Sequence, residues 1–118
     1  MFTYLDLTKD NIIAFKAEGE ITKADYDSLI PLLNKTGREH DAIRLLVEIG
    51  DIKGITIRAF LEDVATYFKH IRNIEKIAVI GDSQAEKVWA KLADPFTRTD
   101  VKYHPRAEKD LAMEWIER

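Results

Sequence analysis

The sequence predicts an α/β fold, a mixed and mostly parallel sheet of about five strands with four helices. Three observations predict it. After an initial pair of strands, short apolar runs alternate with helical stripes in the order ββαβαβαβα. Two of the runs, Ala42 to Ile49 (AIRLLVEI) and Lys76 to Ile80 (KIAVI), are nearly continuous in apolar, β-branched character. Strands covered on both faces read that way, whereas half-exposed antiparallel strands alternate. The stripe between these two runs is also long enough for the crossover that parallel neighbours require.

The elements follow in order. Phe2 to Leu7 and Ile12 to Glu18 are two strand-like runs parted by Thr8-Lys9-Asp10-Asn11, a polar turn that suits a hairpin, with Ile13, Phe15 and Ala17 sharing one face. Thr22-Lys23-Ala24-Asp25 then places a hydroxyl at an N-cap and a carboxylate three positions on. Tyr26, Leu29, Ile30 and Leu33 continue at helical spacing, and the helix is expected to end near Gly37. Pro31 lies inside it and predicts a kink or an early break. Ile57, Phe60, Leu61, Val64, Phe68 and Ile71 form the long crossover stripe. After KIAVI, Ser83-Gln84-Ala85-Glu86 has the form of a capping box, with Ala85, Val88, Trp89 and Leu92 at core spacing. A strand from Asp100 to His104 precedes a last helix starting at Pro105, with Ala107, Leu111, Ala112, Trp115 and Ile116 along it. One domain spanning residues 1–118 is expected, since no linker, repeat or low-complexity tract interrupts the chain.

Composition narrows the functions. Without cysteine there is no disulfide framework, thiolate metal site or cysteine nucleophile. A formal charge of -3 with both signs interspersed gives phosphate backbones little to attract, so no nucleic-acid partner is expected. The N-terminus lacks a signal-peptide pattern, and no apolar run approaches the roughly 18 residues a membrane span needs. A cytoplasmic protein without stable membrane insertion is therefore expected. His40, His70 and His104 have no helical His partner, so neither a metal nor a cofactor is expected.

Several stretches invite a functional reading. Gly81-Asp82-Ser83 resembles an anion-binding helix start, but it has one glycine and no following Lys-Ser or Lys-Thr, and the capping box explains it as a strand-to-helix joint. A catalytic use of Asp82, Ser83 or His104 would need a base beside the serine, and the G-x-S-x-G elbow is missing. Glu48, Asp51 and Asp82 end neighbouring strands as the acidic pocket of a receiver would, yet Thr8-Lys9 and His104 stand where a receiver needs an acidic pair and a lysine. Lys69-His70-Ile71-Arg72 complements a helix C-terminus, and Trp89 and Trp115 fit a core. The most unusual connection is Gly50-Asp51-Ile52-Lys53-Gly54-Ile55-Thr56. Its isoleucines either fold under the helix that Thr56 caps or meet a partner, and both explanations fit the residues.

Three stretches together resemble the SpoIIAA-like family, relatives of the STAS domains of anti-sigma-factor antagonists and anion-transporter tails. They are AEGEITKADYDSLIPLL (Ala17 to Leu33), IAVIGDSQAEKVWAKLADPF (Ile77 to Phe96) and VKYHPRAEKDLAMEWI (Val101 to Ile116). The resemblance implies a β-α superhelix and a non-enzymatic regulatory role. In the antagonists, a serine at the start of the helix after the third strand is phosphorylated to switch partner binding. The matching region here is Asp51 to Thr56, where Thr56 is the only hydroxyl. The resulting expectation is a cytoplasmic, homodimeric interaction domain without enzymatic activity. It presents Asp51, Ile52, Gly54, Ile55 and Thr56 to a protein partner. The alternative is a binder of a small amphipathic or lipid-like ligand, held between the long helix and the sheet by Phe60, Val64 and Phe68.

Overall fold

Backbone pairing joins all five strands into one sheet in the order β1-β2-β3-β4-β5. The computed structural model describes residues 1–68, 71, 73–92 and 99–118, and at 89, 91 and 92 the backbone alone. The elements are β1 (Phe2–Tyr4), β2 (Ile12–Glu20), α1 (Lys23–Glu39), β3 (Ile43–Lys53), α2 (Ile57–Phe68), β4 (Ile74–Gly81), α3 (Ser83–Leu92), β5 (Asp100–Pro105), a 3-10 turn (Arg106–Glu108) and α4 (Lys109–Glu117). β1 is antiparallel to β2, and every other neighbouring pair is parallel.

Strand order explains the layers. Each crossover steps one strand in the same direction, so right-handed connections place α1, α2 and α3 on the same face. The larger core lies there, joining Ile13, Phe15 and Ala17 of β2 to Leu29 and Leu33, Phe60 to Phe68, and Ala85. The other face carries a smaller core in which Ala112, Trp115 and Ile116 of α4 cover Ile12, Ala14, Leu46, Ala78 and Ile80. Covering on both sides is why the middle strands read as unbroken apolar runs.

α4 is short, and polar side chains of the sheet fix it. Lys76 Nζ donates to Trp115 O at 3.2 Å and Arg44 Nη1 to Ile116 O at 2.9 Å, so two cations sit at the helix's negative end. At its first turn Lys109 Nζ lies 2.8 Å from Oε1 of the buried Glu48, an ion pair without a well-directed hydrogen bond.

Several local expectations hold. The first turn closes as a hairpin at Lys9 and Ile12, with Asp10 at φ 53°, a left-handed conformation that Asp tolerates. Thr22 is the N-cap of α1, and Asp25 Oδ2 accepts the Thr22 N–H at 2.8 Å. Asp25 Oδ1 also accepts the Phe2 N–H at 3.2 Å, tying β1 to α1. Burial alone would raise the Asp25 carboxyl, but the donors from Thr22 and Phe2 and the Met1 ammonium together hold it below its ordinary value.

Others are corrected. α1 runs unbroken through Pro31 to Glu39. Pro31 and Asp27, whose carbonyl loses its donor, are both exposed, so water can satisfy that carbonyl. Gly37 does not end the helix: a Cβ there would lie 3.3 Å from Ile43 Cδ1, so the glycine allows a close approach inside α1. α2 is described as far as Phe68, and Ile71 lies outside a helix but still against the core. Pro105 ends β5 instead of starting α4. Leu111 points outward at 53% exposure and Ala107 is exposed, while Trp115 is buried as expected. The side chain of Trp89 and the basic residues Lys69, His70 and Arg72 lie outside what the structure describes.

Candidate functional site at the strand ends

β3 outruns its partner on one side. Its pairing with β4 ends at Glu48 and Ile80, whereas its pairing with β2 continues to Lys53 opposite Glu20. The supposed loop from Gly50 is therefore strand as far as Lys53, and the true connection is only Gly54, Ile55 and Thr56. Gly54 makes that tight exit with φ 78°, where a side chain would be strained. Gly50 serves a different end. A Cβ there would meet Lys16 Cε at 3.0 Å and Glu18 Cβ at 3.2 Å on the neighbouring strand.

Where β3 parts from β4 a cleft opens. It measures about 540 Å³ and is lined by Gly50, Asp51, Ile52, Ile55, Thr56 and Ile57 on one side and by Asp82, Gln84 and Arg106 on the other. A second cleft of about 520 Å³ is lined by Gly81, Asp82, Ser83, Glu86, Tyr103, Pro105 and Arg106. Asp82 and Arg106 belong to both and form the ridge between them. Open α/β sheets place ligand sites at such carboxyl ends.

Arg106 spans the gap. Its Nε and Nη2 donate to Ile49 O at 3.2 and 2.8 Å, reaching from the end of β5 to the β3 carbonyl just past the last β3-β4 pair. Tyr103 closes the other side, its hydroxyl donating to Gly81 O at 2.7 Å. Burial first, then the Glu86 and Asp82 carboxylates, push the Tyr103 phenol up against the opposing pull of Arg106, so it stays a protonated donor.

Of the two helix starts facing the cleft, α2 is capped as the sequence implied and α3 is not. Thr56 Oγ1 accepts the Ala59 N–H at 3.0 Å and caps α2. At α3 the cap is Asp82 and not Ser83: Asp82 Oδ1 accepts the Ala85 N–H at 3.0 Å, and Ser83 is the first helical residue. A carboxylate caps as well as a hydroxyl and adds a favourable charge to the helix N-terminus, so the aspartate takes the position. Gly81 then has a packing reason, since a Cβ would lie 3.0 Å from Ala85 Cβ.

The structure brings Asp51, Ile52, Ile55 and Thr56 together at this cleft mouth, while Gly54 turns the chain between them and does not line the cleft. Ile52 and Ile55 are half-buried against the larger core, and Asp51 and Thr56 are exposed. It does not unite the other candidates. Glu48 faces α4 and pairs with Lys109, away from Asp51 and Asp82. His104 lies beside Trp115 on the α4 face, with ring centroids 6.3 Å apart, so Asp82, Ser83 and His104 form no catalytic set. Phe60, Val64 and Phe68 are at most 1% exposed within the larger core, and neither strand-end cleft is lined by them. Among the described residues no three His, Asp or Glu side chains gather as a metal site. Sequence reasoning missed Arg106. Its signal was present as a cation directly after a strand ending in proline, but Pro105 drew attention as a helix start.

Parallel strands with one antiparallel edge, three crossover helices on one face, one terminal helix on the other and an open strand-end cleft make this a mixed-sheet α/β domain. The model of the SpoIIAA-like family matches residues 12–117, and the chain belongs to that family. It is similar to a solved structure of an uncharacterised protein with a SpoIIAA-like fold from Shewanella loihica PV-4. Identity is 26%, coverage is 98% of this chain and 92% of that one, and the TM-score is 0.66. No curated protein matches.

Proposed function

We propose that this SpoIIAA-like domain is a non-catalytic regulatory or interaction module of the cytoplasm. It acts as a homodimer and docks a protein partner on the cleft mouth lined by Asp51, Ile52, Ile55 and Thr56 and shaped by the turn at Gly54. The observation that carries the reading is the cleft itself, where half-buried isoleucines lie between exposed Asp51 and Asp82 and the bridging Arg106. An apolar centre with a charged rim is how transient protein interfaces are built. Among the described residues, no helix is long and apolar enough to cross a membrane, which fits this setting. A phosphate on Thr56 would suit the α2 N-terminus locally while repelling an acidic or apolar partner surface over Ile52 and Ile55.

Affinity capture from the native host tests this. Tagged wild type is compared with Asp51→Arg, with Ile55→Asp and with Asn34→Ala on the exposed face of α1. The expected result is a protein retained by wild type and Asn34→Ala but lost from both cleft variants, each of which keeps its folded circular-dichroism spectrum. Retention of the same proteins by all four would refute the proposed surface.

A further inference from the structure

α4 packs chiefly on β4 and more lightly on β3 and β5, and a groove opens along its β5 side. The groove measures about 700 Å³. Lys102 and His104 of β5 form one wall, and Leu111, Glu114, Trp115 and Glu117 of α4 form the other. It lies on the sheet face opposite the larger core and shares no residue with the strand-end clefts.

Three features mark what it fits. Leu111 is 53% exposed on the groove's rim, although α4 buries Ala112, Trp115 and Ile116. A lone exposed leucine needs no explanation, but a leucine knob beside a hole on one face is what a two-fold contact uses. The charges are also sorted into rows. Lys102 stands on the strand wall and Glu114 and Glu117 on the helix wall, with Arg118 at the helix end, so the groove is formally neutral when His104 is neutral. Burial, then Lys102, pushes the His104 imidazole below its ordinary value against the pull of Glu108, which keeps it uncharged near neutral pH. Finally, the floor is preformed: Lys76 and Lys102 ammoniums lie 5.1 and 5.3 Å from the Trp115 ring centroid, and His104 Nδ1 is buried without a hydrogen-bond partner among the described residues.

A second copy suits this arrangement, because a two-fold axis parallel to the groove sets the Lys102 wall of each copy against the Glu114 and Glu117 wall of the other. We infer that the α4-β5 groove is the homodimer surface: Leu111 of each copy enters the other's groove beside Trp115, and Lys102 of each faces Glu114 and Glu117 of the other. This rests on the homodimer in the proposed function and names its surface. It also leaves both strand-end clefts free for partners.

Sedimentation velocity on the full chain over a concentration series tests it, using wild type, Leu111→Asp, Glu114→Lys, Lys102→Glu and the double variant Lys102→Glu with Glu114→Lys. Leu111 and Glu114 are exposed, so their variants are expected to fold, and thermal melts verify this. The expected result is a wild-type dimer and roughly tenfold or greater weakening for Leu111→Asp, as lost burial of one leucine implies. Each single charge reversal weakens the dimer and the double variant regains it. A wild-type dimer unmoved by Leu111→Asp, or a double variant no better than the singles, overturns this surface while the homodimer stands. A wild type monomeric up to its solubility limit overturns the surface and the homodimer together.

Discussion

Replacing Asp82 by alanine and, separately, Ser83 by alanine decides what the Gly81-Asp82-Ser83 turn is for. Asp82 Oδ1 accepts the Ala85 N–H at 3.0 Å, whereas Ser83 is exposed and no hydrogen bond of its hydroxyl is seen among the described residues. Loss of an N-cap acceptor costs about 1 kcal/mol. The carboxylate's interaction with the helix N-terminus adds about 0.3 to 1 kcal/mol, and the two partly overlap because the same oxygen serves both. Asp82→Ala is therefore expected to cost about 1 to 2 kcal/mol, which for a chain of this size lowers Tm by roughly 4 to 8 °C. Asp82→Asn retains the acceptor and loses only the charge, about 0.3 to 1 kcal/mol. Ser83→Ala removes nothing buried or bonded and should stay within about 0.5 kcal/mol of wild type. Urea titration followed by circular dichroism gives all three values. A Ser83→Ala cost equal to that of Asp82→Ala, or a neutral Asp82→Ala, would show that the cap assignment is wrong.

Three further outcomes are expected. Asp25 is held below its ordinary value in the fold, so the unfolded chain binds more protons between the two values. Its stabilising contribution is then full above the unfolded value of about 3.9 and is lost as pH falls through the folded one. Asp25→Asn should flatten that acid limb in urea midpoints measured against pH, and an unchanged slope would contradict the assignment. Gly50→Ala should cost about 1 kcal/mol, because its Cβ would lie 3.2 Å from Glu18 Cβ, which the β2 backbone holds, while Lys16 Cε at 3.0 Å can swing aside, and an unaltered denaturation midpoint would contradict that crowding. Leu46→Ala should cost about 2 to 5 kcal/mol, since Leu46 is fully buried under α4, and a loss below about 1 kcal/mol would mean that the smaller core is loosely made.

The fold was legible where periodicity carries it. Continuous apolar strands at AIRLLVEI and KIAVI announced burial on two faces, and the alternating order then left few topologies open. What escaped was decided by contacts between elements far apart in sequence. Gly37 reads as a helix stop until Ile43 is seen against it. Lys53 reads as loop until Glu20 pairs with it. Ser83 fits a capping box by spacing alone, but the turn out of β4 puts Asp82 at the cap. The candidate site follows the same division. Asp51 to Thr56 stood out by its glycines and isoleucines, and Arg106 did not, because its role depends on Ile49 O, 57 positions away in the chain. Leu111 likewise fits the apolar stripe of α4 in sequence, yet it stands off the face that Ala112, Trp115 and Ile116 bury against the sheet.

Photocrosslinking in the native host addresses the docking claim most directly. A photoreactive residue is placed at Asp51, at Ile55 and, as a control on the far side of α1, at Asn34. Asp51 and Ile55 line the cleft mouth, and Asn34 is exposed outside it. The account predicts one discrete adduct with a second protein from positions 51 and 55, and none from 34. No adduct from the cleft positions, or the same adducts from all three, would contradict it.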